Sequence, residues 1–316
     1  MLVRTEVTTA TPPRTVQPGL RQRMWKARSA YLFIAPFFVL FAIFGVFPIG
    51  YEFVMSLFSW SGAGTPQFVG FTNFTTLFAD DLFWLSLGNT IVLWLGHIFI
   101  LVALALGLAL LLDAPWLRGR AIYRAIAYLP NTAAIAAMAL SFQLIFDYQF
   151  GILNNVLQTI GIPRIDWLGS EMWSKPAIIM LNVWNGVGWY MLIILAGLQS
   201  LDSQLFEAAA IDGAGPWRRF LNVTLPGLRP TLFFVFVVET IGSLQLFTEP
   251  YVLTKGGPSN SSLTLAMYLY QNGFEYFRIG YASTMAVVLF ALTVVTTLVL
   301  GLIWRGSLFT RSDLSA

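Results

Sequence analysis

The amino-acid sequence predicts an all-α polytopic membrane protein with six spanning helices and both termini on the cytoplasmic side. Three observations lead there. Only 10% of the 316 residues are charged, while 57% are hydrophobic and mean hydropathy is +0.72. A soluble globular chain carries about 25% charged residues, so this one cannot cover a water-facing surface. The uncharged runs are long, at residues 29–51, 82–112, 125–146, 176–201 and 279–304, and each reaches the ~20 residues that cross roughly 30 Å of hydrocarbon. The basic residues, finally, gather at alternate ends of those runs.

Taken in order, a basic tail (residues 1–29), rich in Thr, Pro and Arg, precedes a first helix expected over about 30–58. The apolar run from Tyr31 to Phe58 is long and ends in aromatics. A signal peptide has a shorter apolar core and a small-residue cleavage site, so this segment reads as a retained helix. Beyond Glu52 the stretch 53–79 is also uncharged, but Ser59 to Pro66 is rich in turn formers and makes its second half an outer loop. Helices two, three and four are expected over about 86–112, 121–146 and 175–200. Helix five, about 229–253, is apolar and aromatic yet carries Glu239 and Glu249; helix six, about 279–304, precedes a short tail, residues 306–316. Trp60, Trp84, Trp116, Trp167, Trp173 and Trp304 fall at the expected helix ends, where amphipathic rings favour the interface.

Orientation follows from Lys and Arg, which accumulate in short cytoplasmic segments. With the N-terminus inside, the cytoplasmic pieces hold 14 of the 18, from Arg4 in the first tail to Arg311 in the last. Only Arg164, Lys175, Lys255 and Arg278 remain outside. The +3 net charge and pI near 9.2 therefore reflect topology in a lipid membrane, and no clustered basic face points to nucleic acid. Zero cysteines remove disulfides, thiolate metal sites and thiol catalysis, and one histidine, His97, leaves little for metal or triad chemistry. No catalytic residue and no metal site is expected.

One long polar feature interrupts the apolar pattern, the cytoplasmic loop 201–228 between helices four and five. Asp202 or Ser203 can cap a helix start, Gln204 to Ile211 contains Ala208, Ala209 and Ala210 as strong formers, and Gly213 and Gly215 stop it. Pro216 suits the first position of a second short helix running to about Thr224. A bland reading is an amphipathic interfacial connector. Glu207-Ala208-Ala209, with Gly213 and Asp212 following and Leu225-Pro226 further on, resembles instead the signature of importer permeases of the ATP-binding-cassette (ABC) superfamily.

The resemblance extends to Ala35-Pro36, Phe47-Pro48, Phe68 to Phe74, Leu129-Pro130, Phe150 to Asn154 and Thr254 to Pro258. It is closest to the first permease subunit of carbohydrate importers of the maltose-transporter type, over roughly residues 30–305, without their extra N-terminal helices or large inserted outer domain. It implies the type I ABC importer permease fold. It also implies a second homologous permease, an ATPase dimer that binds ATP and Mg, an extracytoplasmic sugar-binding protein, and a sugar substrate, with no cofactor in this chain. No Gly-x-x-x-x-Gly-Lys-[Ser/Thr] loop occurs here, so ATP hydrolysis is expected in the partner. Glu207, Ala208, Ala209, Asp212, Gly213, Leu225 and Pro226 are the expected ATPase-coupling residues.

For the substrate path the resemblance points to Glu239 and Ser243 on helix five and to Gly186 and Trp189 on helix four, with Asn185 and Gln245 nearby. An intramembrane acid is a functional candidate by default, although Glu239 also reads as a paired acid that holds helices together. Asn182, Asn185 and Trp184 suit interhelical bonding as well as substrate contact. His97 reads as a bonded packing residue or a proton relay. An ion- or proton-coupled carrier using Glu239 is the competing function; such carriers often show internal repeats, and none is evident here. An intramembrane enzyme lacks nucleophile and zinc motifs.

Overall fold

The computed structural model describes Trp25 and residues 28–308. Apart from those few positions, the tails expected at 1–29 and 306–316 lie outside the described residues. The chain divides into two compact units after Tyr51. The first contains α1 (Arg28–Phe41), a π-turn at Ala42–Val46 and the start of α2 (Phe47–Met55). The π-turn has a cause in the sequence, because Pro48 offers no N–H and its ring would meet the carbonyl four residues back, at Phe44.

In the second unit a two-residue ribbon pairs β1 (Phe58–Ser59) antiparallel with β2 (Gln67–Phe68), closing the loop that the turn formers announced. A short α3 (Thr72–Phe78) leads to α4 (Asp81–Asp113), whose start Asp80 caps by accepting from Leu82 N–H at 2.9 Å. Next come α5 (Arg120–Thr132), α6 (Ile135–Ile145), α7 (Ile152–Thr159) and α8 (Ser174–Gln199). The cytoplasmic loop folds as α9 (Ser203–Ile211), α10 (Pro216–Arg219), a π-turn and α11 (Leu225–Gly227). The chain ends with α12 (Arg229–Leu244), α13 (Thr248–Leu253), α14 (Leu265–Tyr270) and α15 (Ile279–Leu308).

Among the described residues five stretches, Tyr31–Met55, Asp81–Asp113, Ser174–Gln199, Arg229–Leu253 and Ile279–Trp304, are long and apolar enough to cross a membrane. The pair α5 and α6 makes a sixth if taken as one span, but the two meet at 95°, where the sequence suggests one helix over 121–146. Ala133 and Ala134 are extended there. The Pro130 carbonyl, which a continuous helix would give to residue 134, accepts from the Ala133 N–H at 3.4 Å and from the Asn185 side chain at 3.0 Å. Backbone polar groups freed inside a membrane need such partners.

α4, α8 and α12 form the centre, with Leu101, Ala105, Ala109, Met191, Ile194 and Val235 all fully buried between them. Small residues let backbones approach. At Gly188 on α8 a Cβ would lie 1.8 Å from the Ala127 carbonyl oxygen on α5. Gly188→Ala is therefore expected to push α5 off α8 and to destabilise the protein by at least about 2 kcal/mol, the cost of overpacking a close contact. Thermal unfolding in detergent checks this, and an unchanged midpoint would refute it.

At the outer end Asp80 ties three elements together, since one carboxylate oxygen accepts from Tyr268 on α14 at 2.5 Å and from Tyr281 on α15 at 2.6 Å. Burial alone would raise the Asp80 pKa, but those bonds and the Leu82 and Phe83 amides outweigh it and hold the carboxyl below its usual value. Burial, with the bond to Asp80, pushes Tyr268 up to about 12. A depressed carboxylate stabilises the fold above its unfolded pKa and loses that contribution as pH falls through the lower folded value. Asp80→Asn is expected to cost about 1 kcal/mol above roughly pH 4, a figure discounted for partial exposure. Its unfolding midpoint should converge with the wild type in acid; a gap that stays constant with pH would refute the assignment.

Candidate functional site

A cavity of ≈ 220 Å³ opens where α4, α8, α12 and α13 converge. Five of the path residues expected from sequence, Glu239, Ser243, Trp189, Gly186 and Asn185, line it. Glu239 is 6% exposed. Its Oε1 accepts from Ser243 Oγ at 2.8 Å, one turn on, and lies 2.9 Å from His97 Nδ1 of α4. That imidazole nitrogen is also 3.3 Å from Ser243 Oγ, while Nε2 is buried with no hydrogen-bond partner among the described residues. The Tyr190 phenol faces the same carboxylate. Glu239 thus sits in a polar knot joining α4 to α12, at the edge of an open cavity.

The aromatic and amide residues divide their roles. Trp189 is 42% exposed and presents its ring beside Tyr128, centroids 6.1 Å apart. Trp184 packs on Phe142 at 5.2 Å and is not among the cavity residues. Asn182 lines the cavity, and so does Asn185, even as it donates to the Pro130 carbonyl. Gly186 leaves room for Leu101, whose Cδ1 would be 2.9 Å from an added Cβ.

Gln245 does not line the cavity. The stretch read from sequence as one helix over 229–253 stops at Leu244; Gln245 is its exposed C-cap residue, and a new helix starts at Thr248. The break carries Glu249 into the cavity wall, 9% exposed. His97, Glu249, Asn131 and Tyr190 also line the cavity, although the sequence reading did not place them in the path. A lone histidine and a lone acid in neighbouring apolar helices must find partners to be tolerated there, and that rule offered the signal for the His97–Glu239 pair.

The cytoplasmic loop presents the other site. Asp202 caps α9 by accepting from Gln204 N–H at 2.9 Å. At its end Gly213, with φ of +72°, donates to Ala210 and the next residue, Ala214, to Ala209. These are the two bonds of a Schellman stop, which glycine enters without a Cβ penalty. Pro216 opens α10 at its first turn. Glu207, Ala208, Asp212 and Gly213 are exposed and Ala209 half-buried, beside the uncovered side chains of Leu205, Ile211 and Trp217. Leu225 packs on the central core, with Leu228 fully buried three residues on, so Leu225 and Pro226 seat the loop on the helices while α9 faces outward.

Residues 105–306 match the family model described as the binding-protein-dependent transport system inner membrane component. The chain belongs to that family. The matched region contains the whole cytoplasmic loop and every cavity residue but His97. As a permease of this family it is a transport subunit of the inner membrane, not a catalytic enzyme. It is 38% identical to the sulfoquinovosyl glycerol transport system permease protein SmoG of Agrobacterium fabrum, over 85% of this chain and 88% of the relative. It is 37% identical to the lactose transport system permease protein LacF of Rhizobium radiobacter, over 83% and 89%. In fold the permease is similar to a chain of a bacterial alginate ABC transporter crystallised with an alginate pentasaccharide-bound periplasmic protein. That match has a TM-score of 0.80 at 24% identity and covers 90% of this chain and 97% of the other. The permease therefore has the type I ABC importer fold.

Proposed function

We propose that this permease forms half of the membrane path for a sugar, a di- or oligosaccharide, and is driven by ATP hydrolysis in a separate ATPase dimer that holds ATP and Mg. A second homologous permease forms the other half, and an extracytoplasmic sugar-binding protein delivers the substrate. The observation that carries the sugar reading is the cavity chemistry. Glu239, Ser243 and Asn182 offer carboxylate, hydroxyl and amide groups that exchange hydrogen bonds with sugar hydroxyls, beside the open face of Trp189. The relative named for lactose transport supports the same class.

In this reading the exposed face of α9 docks in a cleft of the ATPase, with Glu207 against a basic residue and Ala208 and Ala209 permitting close approach. Gly213 fixes the angle to the next helix, so that closure of the ATPases rocks α8 and α12. The test is uptake of radiolabelled di- and oligosaccharides into proteoliposomes holding the complete four-subunit complex and its binding protein. Uptake is expected only with ATP inside the ATPase compartment; uptake that survives ATP depletion and follows an ion gradient would overturn it in favour of a coupled carrier.

A further inference from the structure

We infer that the cavity between α4, α8, α12 and α13 selects saccharides without an anionic group, and that Glu249 is the residue that sets this selection. The inference rests on the sugar-path reading above and adds its substrate class. Its first ground is the charge inventory of the lining. Among the described residues two carboxylates, Glu239 and Glu249, and one imidazole, His97, face the cavity, and no Lys or Arg does. While either carboxylate is ionised the cavity is neutral or negative, whichever form the imidazole takes. A uronate or sulfonate entering it would shed its water without meeting a net positive charge, and an uncompensated ion in a low-dielectric site is costly.

The second ground is how the groups are spent. Ser243 and His97 both engage Oε1 of Glu239, so that carboxylate is partly satisfied within the protein. Glu249 receives no side-chain hydrogen bond among the described residues and leans on its own backbone N–H. It stands in the cavity as a free acceptor, able to accept hydrogen bonds from the hydroxyls of a neutral sugar and to repel an anion. His97 Nε2, on a residue more than nine-tenths buried, also lacks a protein partner. With Nδ1 donating to Glu239, the neutral imidazole offers Nε2 as a second acceptor, so the unspent capacity is one that hydroxyls match and carboxylates do not.

The experiment uses the purified permease–ATPase complex in detergent, without the binding protein, so that its own selectivity does not enter. Lactose, cellobiose and maltotriose are compared by equilibrium dialysis with matched sugars in which one CH₂OH is oxidised to a carboxylate. At least one neutral probe is expected to bind the wild-type complex about 10-fold or more tightly than its uronate, the effect of ~1.4 kcal/mol of charge repulsion. Glu249→Gln, which removes the charge at constant volume, should narrow that ratio to about 3-fold or less. Equal binding of neutral and anionic partners by the wild type, or no binding of any neutral probe, would overturn the inference. So would an unchanged ratio in Glu249→Gln. In proteoliposomes, ATP-driven uptake of uronates as fast as of neutral sugars overturns this inference and leaves the proposed function standing, whereas ATP-independent uptake overturns the latter.

Discussion

Glu207→Lys is expected to abolish ATP-driven uptake, by about 100-fold or more, and to prevent co-purification of the ATPase, with the unfolding midpoint of the permease unchanged. The side chain is exposed on α9 and makes no hydrogen bond or ion pair among the described residues. Reversing its charge therefore removes nothing from the fold. Its surroundings are those of an interface, with Leu205 51%, Ile211 86% and Trp217 70% exposed around it, far more apolar surface than a solvated helix needs. A lysine placed against the basic partner proposed for this position meets a like charge, which costs several kcal/mol when desolvated, and about 2.7 kcal/mol already gives 100-fold. Gly213→Pro should give the same loss by another route, because proline is held near φ of about −65° and this position needs +72°. ATPase pull-down and uptake at wild-type levels in both variants would refute the docking role of α9.

The two sites differ in how much of them could be read from the sequence. The loop at 201–228 is local: Asp202 caps within two residues, Gly213 stops within the same turn, and Pro216 opens the next helix. Such signals act over one helical turn, so a linear reading captures them. The cavity depends on two helix breaks, and only the second has a local signal, in Pro250. Ala133 and Ala134 are good helix formers, yet the chain bends there because Asn185, from another helix, takes the Pro130 carbonyl. At the second break Pro250 has no N–H for the Leu246 carbonyl four residues back, and that carbonyl accepts instead from Thr264 Oγ1 at 2.7 Å.

In a lipid environment a helix continues by default unless another element satisfies its freed backbone. Such donors sit far away in sequence. That is why a straight helix five placed Gln245 in the path and overlooked Glu249. The outer clamp was hidden for the same reason, since Asp80 meets Tyr268 and Tyr281 only in the folded chain.

His97→Leu is expected to cost about 3 kcal/mol of stability, because it strips the imidazole from a carboxylate that is 6% exposed and leaves only the Ser243 and Tyr190 hydroxyls to answer it. Glu239→Leu should cost a comparable amount by leaving the imidazole with one hydroxyl contact. The double variant His97→Leu/Glu239→Leu separates a helix tie from a path residue. Removing both members of a buried pair leaves no orphaned charge, so the double loss should fall well below the sum of the single losses, with a coupling of about 1–3 kcal/mol. Thermal unfolding of the four proteins in detergent gives that cycle, and strictly additive losses would refute the pair as a unit. Uptake then decides what the pair is for. If Glu239 only fastens α12 to α4, the double variant regains stability and transport together. If it accepts sugar hydroxyls, stability returns and uptake stays at the level of Glu239→Leu, which is the result expected from a carboxylate that lines an open cavity beside Trp189.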